Sequence, residues 1–282
     1  MLTVNALVIA AIFVLNYFYQ SNGFDFTLKC ICSGLFACLG LVNLGYALKT
    51  KQPNTKFYIG MSSGLVLAFL GDYLIGKDFI VGAATFALGH ICFVVAYCFM
   101  QKMQKLDYAI SGTLFLGCLI FLLFCPLLTF EVAIFRIVCI VYALIISTML
   151  GKAVGNFIRE KALVNGTIAV ASILFFFSDL MLVFDWFIGL WSWTDHACMG
   201  SYYPALCLLA FAMLIKQIKK QLNKSAIKGN AESGRCLFST QHIQVNMLFR
   251  LPSKNAKIYV RSFQKGENTN KTLTFLWYNG GV

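Results

Sequence analysis

Apolar residues in this chain come in long blocks closed by short polar stretches, not in the alternating runs of half-buried strands. A helix needs about 20 apolar residues to cross the hydrocarbon of a bilayer. Eight such blocks can be placed, at residues 2–19, 28–48, 57–76, 79–100, 108–128, 132–150, 163–184 and 197–217. The pattern predicts an all-α fold, a polytopic membrane helix bundle of about eight transmembrane helices. The first block, from Leu2, has neither a basic start nor a small-residue cleavage site, so it reads as a retained helix rather than a signal peptide. Short connections force neighbouring spans to run antiparallel, so successive loops lie on alternate faces of the membrane.

Composition agrees with this pattern. Of 282 residues, 59% are hydrophobic and 12% charged, whereas soluble domains are roughly 45–50% apolar. A single water-soluble domain is excluded. The net charge of +12 would suggest nucleic acid if it were concentrated in a basic groove with interleaved aromatics, but no such groove is visible. Instead Lys49, Lys51, Lys56, Lys102, Lys105, Lys152, Arg159, Lys161, Lys216, Lys219 and Lys220 gather on one face, against Lys29 and Lys77 on the other. The positive-inside rule then places both termini in the cytoplasm, with Asp25, Asp78, Glu131 and the Asp185–Asp195 loop facing the exterior or lumen. The expected partners are membrane lipids and no nucleic acid. The membrane would be that of the endoplasmic reticulum in a eukaryote or the inner membrane in a bacterium. Residues 1–220 form the transmembrane domain. Residues 221–282 form a basic cytoplasmic tail, accessory or flexible, with short strand-like runs at Ile258–Val260 and Thr274–Tyr278. Most of the eleven cysteines lie inside apolar blocks and read as small hydrophobes rather than a disulfide framework.

Ionisable groups inside a span are costly, at least about 2.5–3.5 kcal/mol each on insertion scales, and so mark candidate functional sites. Asp72 and Asp179 stand out. Gly60, Gly64, Ala68 and Asp72 recur at four-residue steps, and Asn165, Ala169, Ser172, Phe176 and Asp179 form a comparable stripe. Small-residue stripes of this kind pack against other membrane helices, so both carboxyls are expected to face the bundle interior at one depth near the outer boundary. The spacing from Asp72 to Asp78 repeats from Asp179 to Asp185. It suggests two four-helix halves in parallel orientation, related about an axis along the membrane normal.

Further polar groups fall in the same blocks: Lys29, His90, Arg136, Tyr142, Ser178, Tyr202 and Tyr203. With three histidines, one of them His242 in the tail, a three-histidine zinc centre cannot form in the core. Cys30-x-Cys32 has no second pair. There is no phosphate loop, nucleophile elbow or His-Glu-x-x-His helix, so neither metal nor cofactor is expected.

Taken in order, Leu28-Lys29-Cys30, Leu70-Gly71-Asp72, Gly89-His90-Ile91-Cys92-Phe93, Val141-Tyr142-Ala143-Leu144 with Met149, Leu174-Phe175-Phe176-Phe177-Ser178-Asp179 and Ser201-Tyr202-Tyr203 resemble the YhhN family of integral membrane lysoplasmalogenases. The resemblance covers about residues 25–218. It departs at Leu206, where the family usually has glutamine, and offers no counterpart for Arg136 or the tail. It implies hydrolysis of the vinyl ether bond of a lysoplasmalogen, giving a fatty aldehyde and glycerophosphoethanolamine or glycerophosphocholine. Vinyl ethers are cleaved by protonation at carbon and attack of water on the resulting oxocarbenium ion. Two carboxyls suit that reaction, one protonated as general acid and one ionised to stabilise the cation and activate water. Interacting carboxyls share one proton, so the division does not require unlike surroundings. Asp72 and Asp179 are the expected catalytic pair, with Lys29, His90, Tyr142, Ser178 and Tyr203 supporting or binding substrate. Three other readings remain open from the residues: an ester or amide lysolipid hydrolase, a proton-coupled transporter, and a structural protein locked by interhelical polar contacts.

Overall fold

The computed structural model describes residues 1–130, 132–189 and 193–232, with side chains up to residue 221. It contains α1 (Leu2–Ser21), α2 (Phe26–Lys49), α3 (Thr55–Ile75), α4 (Phe79–Met100), α5 (Lys105–Phe124), α6 (Ala133–Arg159), α7 (Leu163–Phe187) and α8 (Thr194–Glu232), with no strand among the described residues. All eight are long and apolar enough to cross a membrane. The chain is a multi-pass membrane protein. Of the predicted tail, residues 221–232 continue α8. Its strand-like runs, Cys236 and His242, like Glu131, lie outside the described residues.

Helix ends follow local chemistry. The Asp25 carboxylate accepts from the Leu28 backbone N–H at 2.9 Å and Asp78 from that of Val81 at 3.0 Å, which caps α2 and α4. At α5 the Asp107 side chain accepts from the Gln104 backbone N–H, one half of a capping box. With no water in hydrocarbon, buried polar groups must find partners inside the bundle. Asn5 of α1 and Asn43 of α2 exchange amide hydrogen bonds at 3.1 and 2.9 Å, and Asn43 also donates to the Ala210 carbonyl of α8.

The expected small-residue stripe on α3 packs on α4. A Cβ on Gly64 would run into the Phe93 ring, so the helices close to this distance only because that position has no side chain.

The helix contacts repeat between halves. In the first half α1 packs on α2, α2 on α3 and α3 on α4; in the second, α5 packs on α6, α6 on α7 and α7 on α8. The halves meet crosswise, α2 on α8 and α6 on α4. Two contacts break the symmetry. α1 and α3 both pack on α8, whereas among the described residues their counterparts α5 and α7 make no backbone approach to α4. The internal repeat thus exists as a packing scheme rather than as the aspartate spacing. Asp78 caps α4 across a turn, while Asp185 lies within α7.

α5 is fastened at its first turns. Asp107 is buried between Arg159, at 2.6 Å, and Lys152, at 2.9 Å, and Lys152 also donates to the Lys102 carbonyl. Gly155 leaves room for the Asp107 carboxylate, which a Cβ there would strike. Lys152, expected on the lysine-rich face, is therefore buried inside the bundle, and α6 runs nine residues past the apolar block that predicted it.

Candidate active site

The two aspartates occupy separate clusters. Asp72, one turn from the end of α3, is buried among α2, α3 and α8. Its Oδ2 accepts hydrogen bonds from Ser33 Oγ at 2.5 Å and Tyr202 OH at 2.8 Å, and Lys29 Nζ lies 3.5 Å from Oδ1. Both oxygens have partners. Tyr203 OH stands 3.4 Å from Ser33 Oγ and donates to the Lys29 carbonyl at 3.4 Å, one step removed from the carboxylate.

Asp179 lies more than two turns before the end of α7. Its Oδ2 accepts from Tyr142 OH at 2.9 Å and lies 3.2 Å from His90 Nε2, and Tyr142 OH and His90 Nε2 are 2.7 Å apart. These three polar atoms close a triangle contributed by α4, α6 and α7. Because Tyr142 donates to the carboxylate, its oxygen is open to accept from Nε2. His90 Nδ1 is buried without a partner. Among the described residues Asp179 Oδ1 makes no hydrogen bond, and the side chain is 13% exposed.

That exposure is toward a cavity of about 390 Å³ bounded by α4, α5, α6 and α7 and by Ile75 of α3, within the roughly 300–1,000 Å³ range of small-ligand sites. Its wall is mostly Ile, Leu, Val, Phe and Ala, with Asp179, Tyr142 and Thr113 as the oxygen-bearing side chains. It occupies the space left where α5 stands off α4. Asp72 does not line it. Between the clusters stand aromatic rings: Phe175 lies 4.6 Å from His90 and 5.4 Å from Tyr202, centroid to centroid. No hydrogen bond or ion pair joins the two carboxyls, and their surroundings differ in every partner.

The supporting residues divide accordingly. Lys29 and Tyr203 fall on the Asp72 side, His90 and Tyr142 on the Asp179 side. Ser178 joins neither, its Oγ lying 3.4 Å from the Cys198 thiol. Ser33 and Tyr202, the hydroxyls that touch Asp72, were absent from the expected set. Ser33 lies one helical turn after Lys29 on the same face, a spacing that would have revealed it. Arg136, fourth in α6 as Lys29 is fourth in α2, lies over the Phe130 ring at 5.0 Å and forms no ion pair among the described residues. Among the described residues no three His, Cys, Asp or Glu side chains gather into a metal-ligand set.

The model of the YhhN family matches residues 24–213, from just before α2 to within α8. The chain belongs to the YhhN family. Both carboxylate clusters and the whole cavity lie inside that span, so the site is carried by YhhN elements, while α1 precedes them. No curated protein and no solved structure matches the chain.

Proposed function

We propose that this protein is a lysoplasmalogenase, a membrane hydrolase that cleaves the vinyl ether of a single-chain phospholipid. The observation that carries the reading is a carboxyl in an apolar cavity with one oxygen held and the other free, in a chain of the YhhN family.

Asp179 Oδ1 carries the proton. The carboxylic acid transfers it to the outer vinyl carbon of the substrate, and the electron pair of the double bond becomes the new C–H bond. The remaining cation is shared between the inner carbon and the ether oxygen. Water adds to that carbon and returns a proton to Asp179, which restores the acid. The hemiacetal then collapses: its hydroxyl gives up a proton, the electron pair of that O–H bond forms the carbonyl, and the bond to the glycerol oxygen breaks as that oxygen takes up a proton, giving a fatty aldehyde and the glycerophospho-alcohol. Tyr142 and His90 hold Oδ2, so that Oδ1 is aimed into the cavity.

In this reading Asp72 is the ionised member of the pair. It faces Lys29 and accepts from two hydroxyls behind Tyr202 and Phe175, so it acts as a fixed charge and a positioning residue rather than by touching substrate. The test is aldehyde release by the purified chain from a lysoplasmalogen, with the matching acyl lysophospholipid as control and each assay repeated with chelator. Aldehyde from the vinyl ether alone, at a rate chelator leaves unchanged, is the expected result. Fatty acid from the acyl lipid, or chelator-sensitive turnover, would replace this reading with an ester hydrolase or a metal-assisted one.

A further inference from the structure

The contact that the second half lacks has a consequence for what the cavity holds. α5 is fixed at its start by Asp107, Lys152 and Arg159, and by Ser111 packed into the gap at Gly151. Along its length its backbone makes no approach to that of α4 among the described residues. At Gly117, which lines the cavity, a Cβ would find nothing within 4 Å. On α3 a Cβ at Gly60, Gly64 or Gly71 would meet atoms of α4, whereas at Gly117 it would face open space in the cavity that Asp179 also lines.

We propose that Gly117 is the point at which α5 makes room for the aliphatic chain of a single-chain lipid, and so sets the bulk and length of chain on which Asp179 works. The inference rests on the reaction proposed above and names a determinant of its specificity. The vinyl ether joins the chain to the glycerol, so a substrate whose ether reaches Asp179 must lead its chain away along the cavity wall. α5 offers the least packed side of that wall. A single straight chain fits where the wall is apolar, and a phosphate or a sugar does not, because burying such a group beside hydrocarbon without partners is costly.

Gly112 supplies the control. It lies in the same helix with equally open space around it but does not line the cavity. Leucine is a better helix former than glycine, so α5 survives either substitution. The experiment measures binding of non-cleavable saturated ether lysophospholipids, one with a short and one with a long alkyl chain, to wild type, Gly117→Leu, Gly117→Ala and Gly112→Leu. Aldehyde release from a lysoplasmalogen is measured on the same samples. Removing room in an apolar pocket discriminates by about tenfold or more. Gly117→Leu is therefore expected to weaken binding of the long chain by about tenfold or more and of the short chain by less, with Gly117→Ala between and Gly112→Leu unchanged. Wild-type affinity for the long chain in Gly117→Leu, an equal loss in Gly112→Leu, or no binding of either lipid to the wild type would overturn the inference. If the binding pattern holds but no aldehyde is released, the chain site stands and the proposed reaction falls.

Discussion

In the first half of the bundle an aspartate on α3 meets a lysine, a serine and a tyrosine; in the second, the corresponding aspartate on α7 meets a histidine and a tyrosine and keeps one oxygen free. Each carboxylate takes its partners from corresponding helices, α2 and α8 in one case, α6 and α4 in the other. The difference begins with the outlying helix. α1 closes against α8, and two asparagines donate across its contacts, Asn5 to Asn43 and Asn16 to the Met199 carbonyl. Among the described residues α6 is the one helix whose backbone approaches that of α5; Phe121 touches Phe184 of α7 across the gap, and a cavity is left on the Asp179 side. One packing scheme therefore yields a fully partnered carboxylate that ties three helices together and a partly partnered one that can act on a guest.

Substitutions that treat the halves alike should separate them. The largest effect is expected at Asp179→Asn, where loss of a general acid lowers turnover by about 10²–10⁴-fold. The amide oxygen can still accept from Tyr142 and the substitution unpairs no ion pair of Lys or Arg, so thermal unfolding in detergent should stay close to wild type. Asp72→Asn leaves Lys29 without its counter-charge in a site only 14% exposed. Breaking such a pair costs about 3–5 kcal/mol, so folded yield and unfolding midpoint should fall together with turnover, and Lys29→Met added to Asp72→Asn should recover part of the stability.

The tyrosines make a finer comparison. Tyr142→Phe and Tyr202→Phe each remove one hydroxyl from a carboxyl oxygen, worth about 0.5–1.5 kcal/mol at the neutral Asp179 and about 1.5–3 kcal/mol at the ionised Asp72. The first is expected to appear mainly as a lower kcat and the second mainly as a lower unfolding midpoint. Equal effects of the two on both readouts would erase the distinction between the halves. The smallest effect is expected at Asn5→Leu, which removes an interhelical amide pair of the kind that contributes on average about 0.6 kcal/mol in membranes. It should lower stability slightly and leave kcat unchanged.

The sequence announced the spans because hydrocarbon thickness imposes a length on every crossing helix, and it announced Asp72 and Asp179 because a carboxyl in an apolar block has to be accounted for. Asp107 escaped notice for the opposite reason. It lies at the edge of its block, where an acid looks solvated, and its partners Lys152 and Arg159 come 45 and 52 residues later on another helix. Those same partners are polar enough to end the apolar block early, which is why α6 was expected to stop at residue 150. The separation of the two aspartates was not legible either. Helical phase shows that both point inward, but which helices fill the space between them depends on Phe175 and Tyr202 meeting across α7 and α8. The cavity is still harder to foresee, since it arises from a contact between α4 and α5 that is not made.

Asp179 supplies the proton and Asp72 supports the frame in the reaction proposed for this chain. The most direct test of that division is single-turnover aldehyde release per folded molecule for wild type, Asp72→Asn and Asp179→Asn, with the folded fraction fixed by size exclusion and thermal unfolding. Asp179→Asn is expected to be well folded with turnover about 10²-fold or more below wild type, and Asp72→Asn to lose activity together with a lower unfolding midpoint. Undiminished turnover in folded Asp179→Asn would contradict that division.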